Sequence, residues 1–167
     1  MIFDYDGHWS QRIQPQGMSW EPLALTFAWY RALRALGLTI DIVPPGGDLQ
    51  GYKLVVAPVL PHICPKTLGA LKAAEGVTLF GPRTGAKTES FQIPANLPPG
   101  PLQDILPIKV TRVESLRPGT SRKIAWDNAA YDAIHWAEWV EPGDGVEALA
   151  KFEGGKPALL KKGRAHY

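Results

Sequence analysis

Residues 48–88, DLQGYKLVVAPVLPHICPKTLGALKAAEGVTLFGPRTGAKT, decide the fold. Leu54-Val55-Val56-Ala57 is a short unbroken apolar run, the pattern of a strand covered on both faces. Pro58 and Pro61 stop it. Pro65 opens a helix, because the first helical turn has no partner for its N–H. Leu68, Leu71 and Lys72 follow at helical spacing, and Gly76 ends the helix. Val77-Thr78-Leu79-Phe80 is a second apolar strand, and Gly81-Pro82-Arg83-Thr84-Gly85 forms a tight loop at its carboxyl end. A strand–helix–strand unit of this length requires parallel pairing and a right-handed crossover.

Upstream, Met1-Ile2-Phe3 reads as a strand, shorter than the usual five or six residues. Gly7 to Gly17 reads as a loop. A helix is expected from the N-cap Ser19 to about Leu36, with Gly37 as its cap. It carries two apolar stripes: Leu23, Phe27, Tyr30 and Leu33, then Leu25, Trp29, Ala32 and Leu36. A helix lying on a sheet needs one stripe, so the second indicates either a wide core face or a partner surface. Leu38–Val43 is the next strand, ended by Pro44-Pro45-Gly46-Gly47.

Downstream, residues 89–119 carry six prolines, Pro94, Pro98, Pro99, Pro101, Pro107 and Pro118. They read as an extended surface excursion with one short helix near Leu102–Ile105. From Arg122 onward short strands recur: Lys123–Trp126, Ala133–Val140, Val146–Phe152 and Ala158–Lys161, which is antiparallel hairpin material. The expected class is α/β: a three-layer, flavodoxin-like, open parallel sheet with a C-terminal antiparallel β extension. The expected division is a parallel core over 1–90, a proline-rich arm over 91–121 and antiparallel strands over 122–167.

The chain has 167 residues, 45% hydrophobic and 20% charged, which suits one domain with a real core. Net charge is +2, and the densest basic cluster, Lys161-Lys162-Gly163-Arg164, is too small for a nucleic-acid footprint. The single cysteine, Cys64, excludes an internal disulfide and points to a reducing, cytoplasmic setting. No apolar run reaches the roughly 18 residues a membrane span needs, and no signal-peptide pattern precedes Asp4.

Doubly wound folds place sites outside the carboxyl ends of their strands, here Asp4, Tyr5, Asp6, Pro44–Asp48, Pro58–His62 and Gly81–Lys87. Cys64 and His62 could form a nucleophile pair. His135-Trp136-Ala137-Glu138 is one residue too wide for a His-x-Glu pair, which on a strand puts the two side chains on opposite faces. Gly81 to Gly85 lacks the spacing of a phosphate cradle. His8, His62, His135 and His166 are scattered without metal-ligand spacing, so neither metal nor cofactor is expected. Sixteen acids are present, and no spacing singles out the paired carboxylates of glycoside cleavage. The six tryptophans suit core or interface positions.

Phe3-Asp4-Tyr5-Asp6, Ile13-Gln14-Pro15-Gln16-Gly17, Trp29-Tyr30-Arg31-Ala32-Leu33, Asp41-Ile42-Val43-Pro44, Gly51 to Pro58 and Gly81 to Gly85 with Lys87 come in a specific order. So do Pro98-Pro99-Gly100-Pro101-Leu102, Trp136 to Trp139, Gly155-Lys156-Pro157-Ala158 and Gly163 to Tyr167. Together they resemble the trimerisation domain of glycoside hydrolase family 42 β-galactosidases. The resemblance implies a class I glutamine-amidotransferase-like fold without the nucleophile, following a catalytic TIM barrel that holds both catalytic glutamates. Three copies would pack around a three-fold axis. At 167 residues this chain has no room for a barrel of about 250, and it reads as truncated at both ends.

A non-catalytic assembly domain is therefore expected, binding copies of itself as a homotrimer, or a barrel subunit. Its interface is assigned to Trp29, Tyr30, Leu33, Arg83, Pro98, Pro99 and Pro101. The alternative is a sugar- or acid-binding module with a pocket at Asp4, Tyr5, Trp9 and Arg83. A third reading is a hydrolase using Cys64. No nucleic-acid or membrane partner is expected.

Overall fold

The computed structural model describes residues 1–167. Three helices, α1 (Tyr5–Ile13), α2 (Pro22–Ala35) and α3 (Pro65–Ala73), accompany nine strands. These are β1 (Leu54–Ala57), β2 (Val77–Phe80), β3 (Ile108–Ser115), β4 (Arg122–Trp126), β5 (Ala129–Ala133), β6 (Trp136–Pro142), β7 (Glu147–Phe152), β8 (Pro157–Lys162) and β9 (Ala165–His166). Seven form one sheet in the order β1-β2-β9-β8-β7-β4-β5, while β3 and β6 pair separately.

The central unit folds as its sequence dictates. β1 and β2 pair in parallel, Leu54 opposite Val77 and Ala57 opposite Phe80, with α3 as the crossover. Pro65 stands in the first turn of α3. The loop after β2 is tight for a steric reason. A Cβ on Gly85, at φ +61°, would lie 1.9 Å from the Pro99 carbonyl oxygen.

The sheet itself departs from expectation. It is mixed and mostly antiparallel rather than an open parallel sheet, with parallel pairing confined to β1–β2 and β2–β9. The cause is the chain's return: β7, β8 and β9 turn back on one another through short connections, and β9 then lies beside β2. The two outer strands are reduced to a trace. Ile2 and Val43 form one parallel bridge, and the Ile2 N–H donates to the Val56 carbonyl at 2.8 Å.

Two further expectations are corrected. Residues 7–17 are not a loop throughout, since α1 runs to Ile13. Asp4 is its N-cap, accepting from the Gly7 N–H at 2.9 Å, and Asp6 and Arg12 complement the helix dipole. Ser19 does not cap α2; its hydroxyl donates to the Leu116 carbonyl at 3.1 Å, and Glu21 precedes the helix with Pro22 at its first turn. The proline-rich stretch is not a surface excursion throughout. Leu102, Leu106, Ile108, Val110 and Leu116 are buried, four of them in the same core cluster as Ile2, Val55, Leu60, Phe80 and Leu160. Each such side chain contributes about 1.5–3 kcal/mol by leaving water. β3 went unread because prolines flank it.

Candidate functional site

Glu138, on β6, is buried and gathers three donors. The Arg83 backbone N–H donates to its Oε1 at 3.2 Å, the Trp136 indole N–H to the same oxygen at 2.9 Å, and the Tyr167 hydroxyl to Oε2. Arg83 adopts φ +68°, in the left-handed region, at the turn after β2. Its guanidinium lies over the Trp136 ring, 5.2 Å from the centroid, and donates to Gln16 Oε1 at 2.8 Å. Burial lowers the Arg83 pKa, opposed by the charge of Glu138. Burial raises the Tyr167 hydroxyl well above its ordinary value, and the Glu138 carboxylate reinforces it. Trp20 packs on Trp136 with centroids 5.2 Å apart, and its indole N–H donates to Gln11 Oε1. The cluster ties the loop after β2, strand β6, the end of β9 and residues 11–20 together. Its contacts hold the structure together.

The helices offer surface instead. α2 buries only Pro22 and Thr26 along its 14 residues. Trp29 and Leu33 are half-buried. Trp29 forms one wall of an apolar cleft of about 560 Å³, whose other walls include Leu54, Val77, Trp126, Trp136 and Phe152. The opposite side of α2 stands in water. Phe27 is 55% exposed and stacks on Tyr30 at 6.3 Å, with the Arg31 guanidinium 5.2 Å from its ring. On α1, Tyr5, Trp9 and Ile13 are exposed at i, i+4 and i+8, which puts them on one face. α1 packs against α2. Sequence reasoning missed the α1 face; the Asp4 cap followed by a large apolar side chain every fourth residue was its signal.

The other expected site residues separate. Pro98 and Pro99 are buried within the chain, and only Pro101 is exposed. Arg83 is buried in the cluster above. Asp4 lines a small cavity with Phe3, His8, Pro22, Thr26 and Val59, apart from Tyr5, Trp9 and Arg83. Cys64 stands at the N-cap position of α3 without a side-chain capping hydrogen bond, and its pKa is lowered chiefly by the Thr67 hydroxyl 3.2 Å from Sγ. No three His, Cys, Asp or Glu side chains gather as a metal site requires. No helix is long and apolar enough to cross a membrane.

Asp4 yields a prediction. Burial raises its carboxyl pKa, more than the Gly7 N–H lowers it. The folded pKa then exceeds the unfolded one, so ionised Asp4 costs stability, and stability rises as pH falls through the folded value. Asp4→Asn keeps the cap and removes the charge; it should melt at or above the parent temperature at neutral pH, with less gain on acidification. Asp4→Ala should lose about 1 kcal/mol. Thermal melts at neutral and mildly acid pH check both.

Comparison with known proteins agrees with this geometry. The profile of the β-galactosidase trimerisation domain matches residues 1–167. A β-galactosidase of Thermus thermophilus is 48% identical over 167 residues, covering 100% of this chain and 26% of the relative. The crystal structure of a β-galactosidase from the psychrophilic Marinomonas ef1 superposes with TM-score 0.94 at 42% identity, covering 99% of this chain and 25% of that one. A β-galactosidase of the Antarctic haloarchaeon Halorubrum lacusprofundi gives 0.89 at 33%, covering 99% and 26%. The chain thus spans about a quarter of the length of these relatives. Matched end to end by the family profile and built on a helical face that its own core leaves uncovered, the chain belongs to the β-galactosidase trimerisation domain family.

Proposed function

We propose that this chain is an assembly module of a β-galactosidase-type glycoside hydrolase, associating three copies, with sugar cleavage carried out by residues outside these 167. One observation carries the reading: α1 and α2 together leave Tyr5, Trp9, Ile13, Leu23 and Phe27 in water, although the chain has a well-filled core elsewhere. Large apolar side chains exposed together on two packed helices mark an interaction site. Of the residues expected at the interface, Tyr30 lies beside Phe27, Trp29 faces the apolar cleft, and Leu33 lines a smaller cavity with Met1, Leu38 and Tyr52. The parallel succession Val43, Ile2, β1, β2, β9 supports descent from a flavodoxin- or amidotransferase-like layer. Arg83 would then stand at the loop where the amidotransferase-like domains carry their cysteine. A cytoplasmic setting fits the lone Cys64.

Replacing Leu23 and Phe27 together by Glu tests the reading. Both side chains are exposed, so the fold should survive. Association should weaken by at least roughly tenfold, since charges would have to be buried at the contact. Light scattering reads this directly. A double variant with the parent's mass at every concentration would remove the helical face from the account.

A further inference from the structure

We propose that the β4–β5 hairpin is a docking arm, seating Trp126 and Tyr131 on the outward α1–α2 face of the next copy of this chain. This rests on the assembly reading and deepens it.

The hairpin forms one rim of the apolar cleft, where Ile124, Trp126 and Ala133 face Trp29 and Trp136, and the rest of it is in water. In its two strands only Ile124 and Ala133 are even half-buried. It joins the sheet through two register pairs, Ile124 with Phe152 and Ala125 with Lys151. β5 is an edge of the sheet, and its sequence Ala-Ala-Tyr-Asp-Ala has none of the lysines, prolines or bulges that protect natural edges. Trp126 and Tyr131 are 46% and 49% exposed.

The arm is also held in shape by its turn and its side-chain pairs. Asp127 and Asn128 have φ +48° and +60°, the positive values a two-residue type I′ turn requires. The Trp126 and Tyr131 rings lie 6.0 Å apart. Lys123 pairs with Asp132, and Arg122 with Glu114, so the hairpin's own basic groups are neutralised. A preordered aromatic pair loses little entropy on docking.

The receiving surface matches in apolar character and in sign. A three-fold ring is heterologous: every copy must carry two unlike, complementary patches. The chain carries a half-exposed aromatic hairpin and exposed aromatic side chains on two packed helices. Asp127 at the hairpin tip has no ion-pair partner, and neither do Arg12 on α1 and Arg31 on α2. Aromatic side chains carry about 150–250 Å² each, so the half-exposed groups amount to several hundred Å² on the helical side. That approaches the roughly 800 Å² per partner of a stable interface.

Cross-linking tests the pairing. In a Cys64→Ser background, one chain carries Ala130→Cys on β5 and another carries Arg31→Cys on α2. With a short bismaleimide, the mixture should give a linked pair, and neither chain alone should. A chain bearing both cysteines should give covalent trimers. In parallel, Trp126→Ser with Tyr131→Ser should weaken association at least tenfold, with unchanged circular dichroism and, at concentrations where the parent is also single-copy, an unchanged melting temperature. A trimeric mass without cross-linking, or an unweakened double-serine variant, overturns the proposal and gives the hairpin another occupant, while assembly itself stands. A parent chain of single-copy mass overturns both readings.

Discussion

Glu138→Ala is expected to lower the melting temperature by about 6–20 °C. The carboxylate accepts from the Arg83 N–H, the Trp136 indole and the Tyr167 hydroxyl, all in a buried setting. Truncation leaves three donors unsatisfied and removes the charge opposing the buried Arg83 guanidinium. Breaking a buried charged network this way costs about 3–5 kcal/mol, and each kcal/mol shifts a domain of this size by about 2–4 °C. Glu138→Gln retains an oxygen acceptor but loses the charge, so it should fall between parent and Ala variant. Calorimetric melts of the three proteins check the order. Equal melting temperatures would show that the cluster contributes nothing to stability.

Leu102→Ala has the second largest expected effect, a loss of about 2–5 kcal/mol. Leu102 is fully buried beside Leu106 and Ile108 in the core shared with Ile2 and Leu160. Its neighbour Pro101 is exposed, so Pro101→Ala should stay within about 0.5 kcal/mol. Urea unfolding compares them. The contrast is sharp because both residues sit in one proline-rich sentence of sequence, where composition alone argues for surface.

That contrast also shows what the sequence made legible. The unit from Leu54 to Phe80 is local: its apolar runs, Pro65 and the tight turn after β2 carry their own instructions, and it folds as read. β4, β7 and β8 were legible for the same reason; β5 (Ala129–Ala133) went unread, and the strand expected over Ala133–Val140 begins only at Trp136, as β6. The sheet's mixed strand direction was not legible, because β9 reaches β2 across a long sequence separation, and two residues of pairing leave no periodic trace. α1 hid behind Gly7 and Gly17, although Asp4 and the spacing of Tyr5, Trp9 and Ile13 announce it. At the candidate site, the apolar excess on α2 was visible, but its orientation was not. Packing turned Trp29 and Leu33 inward and left Leu23 and Phe27 outside. Glu138 was seen only as a failed catalytic pair; nothing in one dimension brings it to Arg83 and Tyr167.

Sedimentation equilibrium of the purified chain at high micromolar concentration tests the assembly account most directly. A closed ring predicts three times the mass of one chain, falling toward single-copy mass only on strong dilution. A single-copy mass at every concentration would contradict it.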